Sequence, residues 1–363
     1  MKKREFLRTG LYAAGGLGLL GLGSCVNGSG GKSSGLSESL RSYSVSRVNR
    51  RERMLSVLDR SKPNAYVPAA FFMHFSDKFG AGAVKTHIDF FRATNMDFSK
   101  IQYETVLPAQ PEIRTPNDWG KIKTYGKELF EPQLAVIREI VKELKSEALI
   151  IPTVYSPLLL AGQVVGIETY LKHVRENPDA VTRGLSLLTE NILYYVRESI
   201  KLGVDGFYLS THGGDTALFY DTPLFDRVIR PFDEAIFEEA TGGTLFNILH
   251  ICSPENTYQE LDHLTNYRSS VINPPVLLND GSRTDLRAVE RLFGRPVMSG
   301  LDHGGVIVSG GFSEIRREID DIFSNNAPQN FIFAANCTLP GDTSWETLRS
   351  VIDYVHDWRI ING

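Results

Sequence analysis

A TIM-type (β/α)8 barrel, α/β in class, is what this sequence predicts, preceded by an export signal and a flexible linker. Eight short apolar runs alternate with longer stretches whose apolar residues recur at helical spacing. The alternation continues for about 315 residues with no second low-complexity break, which points to one large domain. Histidines, acids and cysteines also gather at the ends of the runs, where such a barrel keeps its chemistry.

The chain opens with a basic segment, Met1-Lys2-Lys3-Arg4-Glu5-Phe6-Leu7-Arg8, followed from Leu11 to Gly23 by a Gly-, Leu- and Ala-rich stretch too short to span a bilayer. This reads as an export signal over residues 1–25. Lys3-Arg4-Glu5-Phe6-Leu7-Arg8 resembles a twin-arginine export motif with lysine in the first basic place, and Leu22-Gly23-Ser24-Cys25 resembles a bacterial lipobox. Cys25 is then expected to be the acylated first residue of a periplasmic or cell-envelope lipoprotein. Residues 26–47 are dominated by Ser and Gly without apolar periodicity, the composition of a flexible tether. The barrel domain is expected over residues 48–363.

Within it, residues 66–74, 97–104, 148–156, 204–210, 244–252, 269–273, 296–302 and 330–337 read as strands. Amphipathic stretches over 130–145, 168–202, 223–240, 284–293, 313–323 and 345–358 read as helices. Ile315, Ile319, Ile322 and Phe323 show the spacing in one of them, and Leu348, Val351, Ile352 and Val355 in the last. A net charge of −4 from 39 basic and 43 acidic residues gives no electrostatic footprint for nucleic acid or a charged membrane face. The expected partner is a small molecule, with membrane attachment only through lipid at Cys25.

The residues that carry chemistry centre on Leu249-His250-Ile251-Cys252-Ser253. Positions i and i+2 of a strand face the same side, so His250 and Cys252 should lie together at a strand tip. Cys337 closes another buried run far downstream. Imidazole plus two thiolates is a zinc set, and a free fourth tetrahedral position is the catalytic arrangement. From residue types alone two other readings stay open: core packing of His250 and the cysteines, and a disulfide in an exported chain. The other tips carry His74, Glu104, Thr211-His212 and Asp302-His303.

Taken in order, several segments resemble the uroporphyrinogen decarboxylase superfamily, from about Asn49 to Trp358. Arg51-Glu52-Arg53-Met54-Leu55-Ser56-Val57-Leu58 followed by Pro68 resembles its opening helix and first strand. Val204-Asp205-Gly206-Phe207 through Pro223-Leu224-Phe225 and Arg230-Pro231-Phe232 resembles its fourth strand and following helix. Ser299-Gly300-Leu301-Asp302 resembles its seventh strand, and Leu339-Pro340-Gly341-Asp342-Thr343 with Glu346 its closing segment. The superfamily holds decarboxylases of uroporphyrinogen and zinc-dependent methyltransferases that act on thiols. Where the decarboxylases carry an Arg-Gln-Ala-Gly-Arg type segment, suited to a substrate rich in carboxylates, this chain has Met73-His74-Phe75-Ser76-Asp77-Lys78. Glu104 stands where they place an aspartate, and Asn336-Cys337-Thr338 replaces their His-Gly region. His250, Cys252 and Cys337 match the His-x-Cys and distant Cys of the thiol methyltransferases. Cobalamin-independent methionine synthase has a similar barrel and ligand set.

The resemblance therefore implies a Zn²⁺ enzyme that transfers a methyl group to a thiol, with His250, Cys252 and Cys337 as ligands. Two thiolates cancel the formal charge of Zn²⁺, so a thiol at the open position loses its proton near neutral pH yet remains nucleophilic. Glu104 and His212 are the candidates to take that proton or orient the substrate, with Asp302 on the far side. The competing role for all three is hydrogen bonding to the ligands. Export sits awkwardly with both branches, whose reactions are normally cytoplasmic. A porphyrin decarboxylase and a lipoprotein that binds a ligand or metal without turning it over are the alternative functions, and a methyl-carrying partner, if there is one, is not named by the sequence.

Overall fold

The computed structural model describes residues 49–62, 66–220, 223–253 and 255–362. The export signal, the lipobox cysteine Cys25 and the linker over 26–47 lie outside the described residues. Among those described, no helix is long and apolar enough to cross a membrane.

Seven strands form one parallel sheet in sequence order: β1 (Phe98–Ile101), β2 (Leu149–Tyr155), β3 (Tyr208–Thr211), β4 (Ile248–Ile251), β5 (Val271–Asn273), β6 (Val297–Leu301) and β7 (Phe331–Ala335). Almost every strand residue is buried, as expected where helices cover the outside and side chains fill the inside. Burial along the strands is therefore continuous and does not alternate.

The run over 66–74 closes the ring as a seam and not as a regular ladder. Ala69 and Met73 make isolated parallel bridges to Phe333 and Leu339. Phe333 N–H donates to Pro68 O, Ala70 N–H to Phe333 O and Leu339 N–H to Phe72 O. On the other side Asp97 N–H donates to Ala69 O, and the Asp97 carboxylate accepts from Ala69 N–H at 2.8 Å. Pro68 lacks an N–H, which limits how far a ladder can extend here. The same buried carboxylate takes Tyr66 Oη and His356 Nε2, joining the seam to the last helix.

Helices wrap the sheet with the spacing read from the sequence, with two corrections. The stretch over 168–202 is two helices, Ile167–Glu176 and Pro178–Leu202. Pro178 cannot donate to the preceding turn, and the Asn177 side chain caps the new helix through Ala180 N–H. The stretch over 223–240 likewise divides into Pro223–Val228 and Arg230–Gly243, with Pro231 in the first turn of the second. A helix over Gly80–Thr94 follows the seam. At the start of β3, a Cβ on Gly206 would lie 1.6 Å from Phe246 O, so this close approach of two backbones admits only glycine.

Strand register sets the site. Ser210 pairs with His250, and His250 with Asn273. Lys100, Tyr208, His250 and Asn273 all turn inward and meet there, as their contacts below show.

Candidate metal centre

His250 lies in β4, Cys252 one residue past its end, and Cys337 two residues past the end of β7. Because the strands run parallel, both tips lie at the C-terminal mouth. The ligand atoms of His250, Cys252 and Cys337 all lie within 4.8 Å of one another. His250 Nε2 is 3.8 Å from Cys337 Sγ, and both cysteines are free thiols. Cys252 and Cys337 share a hydrogen bond that holds Cys337 below the usual thiol range, while the same bond and burial push Cys252 up.

The imidazole is aimed from behind. Asn273 Oδ1 accepts from His250 Nδ1 at 2.9 Å and from Tyr208 Oη at 2.6 Å. Its Nδ2 donates to Met298 O at 2.7 Å and makes a longer contact of 3.4 Å with Ala335 O. One carboxamide thus ties β3, β4, β5, β6 and β7 together and fixes His250 with Nδ1 protonated and Nε2 toward the thiols. The Tyr208 ring stacks on the imidazole with centroids 4.7 Å apart. Sequence reasoning passed over Asn273 and Tyr208, since nothing local distinguishes them from ordinary strand residues.

Glu104 faces the mouth beyond the end of β1. Its carboxylate accepts from His74 Nδ1 at 2.7 Å and pairs with Lys78 Nζ at 3.2 Å, while its backbone N–H donates to Gln133 Oε1. The seam thus delivers His74 and Lys78 to Glu104, an association unassigned from sequence although His74 stood at a strand tip. His212 follows β3. Burial lowers its pKa to about 3, so its ring is neutral, and its Nδ1 has no hydrogen-bond partner among the described residues. Asp302 pairs with His303 at 3.3 Å; that contact holds the carboxyl below its ordinary range and raises the imidazole. Asn336 Oδ1 accepts from His303 N–H at 2.7 Å, linking Asp302 to the neighbour of Cys337.

Deeper in the barrel, Lys100 Nζ donates to Gln102 Oε1 at 2.6 Å and lies over the rings of Tyr208 (4.3 Å) and Phe72 (4.7 Å). A lysine in the middle of a stretch read as a strand was the available signal for it.

The donors fit a metal. One neutral imidazole is oriented by a buried amide, and two unbridged thiols converge on it, one already favouring its anion. A set of two sulfurs and one nitrogen so oriented could hold a thiophilic metal ion.

A family model described as uroporphyrinogen decarboxylase (URO-D) matches residues 92–358. None of the curated proteins compared with the chain matches it in sequence. Among solved structures, a methyltransferase from Methanosarcina mazei aligns at TM-score 0.65 and 12% identity, covering 86% of this chain and 99% of that one. A B12-independent methionine synthase from a Shewanella species aligns at TM-score 0.40 and 14% identity, over 66% of this chain and 67% of the other. A mannanase from Bacillus subtilis aligns at TM-score 0.45 and 12% identity, over 80% and 86%. At 12% identity the likeness to the Methanosarcina protein is one of fold.

Proposed function

The chain belongs to the uroporphyrinogen decarboxylase (URO-D) family, and from that premise we propose that it is a zinc-dependent enzyme that moves a methyl group onto a thiol. The observation that carries this reading is the convergence of His250, Cys252 and Cys337 within 4.8 Å at the barrel mouth. The fold shared with a Methanosarcina methyltransferase is consistent with it.

His250 Nε2, Cys252 Sγ and Cys337 Sγ would hold the ion. Zinc bound there would supply the Lewis acidity that keeps a substrate sulfur anionic at neutral pH. The chain's own groups handle the rest. Glu104 holds the His74 Nδ1 proton, which leaves Nε2 with a lone pair to receive the proton from the thiol. The freed sulfur lone pair forms the new S–C bond as the donor's bond to the methyl carbon breaks, its electron pair leaving with the donor. Neutral His212 offers a hydrogen bond to orient the bound molecule, and the Asp302–His303 pair does so from the other side. Lys78, paired with Glu104, stands where an arginine-rich carboxylate cradle would be needed for porphyrin decarboxylation.

The test incubates zinc-loaded protein with a simple thiol and N-, O- and S-methyl donors in turn, with mass spectrometry for the S-methyl product. At least one donor class should give product well above the His250→Ala control. No product from any class, in a protein that holds its zinc, would refute methyl transfer.

We propose further that the domain is exported and tethered by lipid at Cys25, on the basic segment, short apolar stretch and Leu22-Gly23-Ser24-Cys25. Cys25→Ser should move the protein from the membrane to the soluble fraction and remove the mass of the acyl group. An unchanged mass and distribution would refute the anchor.

A further inference from the structure

Lys100 is 8% exposed in a strand whose neighbours are all buried. An ammonium withdrawn from water costs several kcal/mol unless other charges or dipoles replace its hydration. Among the described residues no carboxylate lies within ion-pair distance of it. What surrounds it is the Gln102 amide oxygen and the faces of Phe72 and Tyr208, which suit a cation by their quadrupoles. Methionine would fill that space without such cost, so the charge itself calls for an explanation.

Two contact paths lead from this ammonium to the ligands. Tyr208, under Nζ, stacks on His250. Gln102, which accepts from Nζ, donates through Nε2 to Thr338 Oγ1 at 3.3 Å, one residue after Cys337. Burial lowers the pKa of Lys100 to about 7, and Cys337, Glu104 and Cys252, in that order, oppose that shift. Glu104 is already paired with Lys78. Both contact paths from Lys100 end at the thiol site.

Resting on the zinc reading above, we infer that Lys100 is the buried counter-charge that makes the centre accept a sulfur anion in preference to a neutral ligand. A divalent ion with two thiolates is neutral, so a third thiolate would leave one uncompensated negative charge in a poorly polarisable interior. The Lys100 ammonium closes that balance.

The test uses cobalt(II) loaded into the full chain, whose thiolate-to-cobalt absorption reports ligands at the open position. In Lys100→Met, cobalt should still bind at about one equivalent. The affinity for 2-mercaptoethanol at neutral pH should fall at least about tenfold, or about 1.4 kcal/mol. Imidazole, a neutral ligand, should bind parent and variant within about twofold, below about 0.5 kcal/mol. Equal thiol affinity in both proteins overturns the inference. So does a parallel loss for both ligands, which marks a packing role, or loss of cobalt from the variant, which marks a role in holding the ligands. A parent that takes up no cobalt sinks the metal reading itself and this inference with it.

Discussion

Zinc should copurify with the full chain at about one equivalent and fall below about a tenth of that in His250→Ala, Cys252→Ser and Cys337→Ser alike, as measured by elemental analysis. The three donors converge within 4.8 Å, so each would supply one of the three protein ligands found among the described residues. Two remaining donors make a site too weak to survive purification. The fold should persist in each variant, because the donors sit at the mouth while the core beneath is a continuous apolar cluster. After chelation under denaturing, non-reducing conditions both thiols of the barrel should titrate. Silent thiols, no metal, and a His250→Ala protein as stable as the parent would establish a disulfide in place of the centre.

Asn273→Leu should weaken zinc binding by about 10- to 100-fold although Asn273 touches no ion. Leucine keeps the volume but removes the oxygen that accepts from His250 Nδ1 and Tyr208 Oη. The imidazole is then free to change tautomer or turn, and Nε2 is no longer held toward the thiols. The same change strips Met298 O of its donor and leaves buried groups unpaired, at about 1–3 kcal/mol each, so urea denaturation should register a clear loss. Asn273→Asp separates the two effects, since a carboxylate still accepts from both rings but cannot donate. It should retain most of the zinc affinity while losing stability. Zinc affinity within about twofold of the parent in Asn273→Leu would remove the orienting role.

Much of the barrel was legible because a buried parallel strand and an amphipathic helix leave different periodicities. Residues 330–337 and 148–156 contain β7 and β2, and the helix over 313–323 matches Phe312–Asp321 to within two residues. The break at Asn177-Pro178 was written in the chain as a cap and a proline, but the apolar spacing on either side masked it. The seam over 66–74 reads as a strand because burial, not ladder regularity, produces an apolar run. His250 and Cys252 were legible as a pair because alternation fixes their common face. Asn273 and Tyr208 were not, since their roles exist only once β3, β4 and β5 are neighbours, and local sequence does not encode adjacency. Lys100 did carry a local signal, a charge in the middle of a stretch read as a barrel strand.

The seam joins β7 to β1 through single bridges and side chains where the rest of the ring has ladders. Toward β1 it is held by Asp97, which receives Ala69 N–H on its carboxylate and gives its own N–H to Ala69 O, and by Phe72, whose ring meets Phe98 and lies under Lys100. Displacing residues 68–74 outward would draw His74 away from Glu104. It would also pull on the segment that carries Cys337, since Leu339 N–H, two residues on, donates to Phe72 O, whereas His250 is held by Asn273, which braces five consecutive strands. A change of shape along residues 68–74 would therefore reach the His74–Glu104 pair and the Cys337 segment together, so this one stretch of wall couples proton handling to one of the three donors while His250 keeps its place.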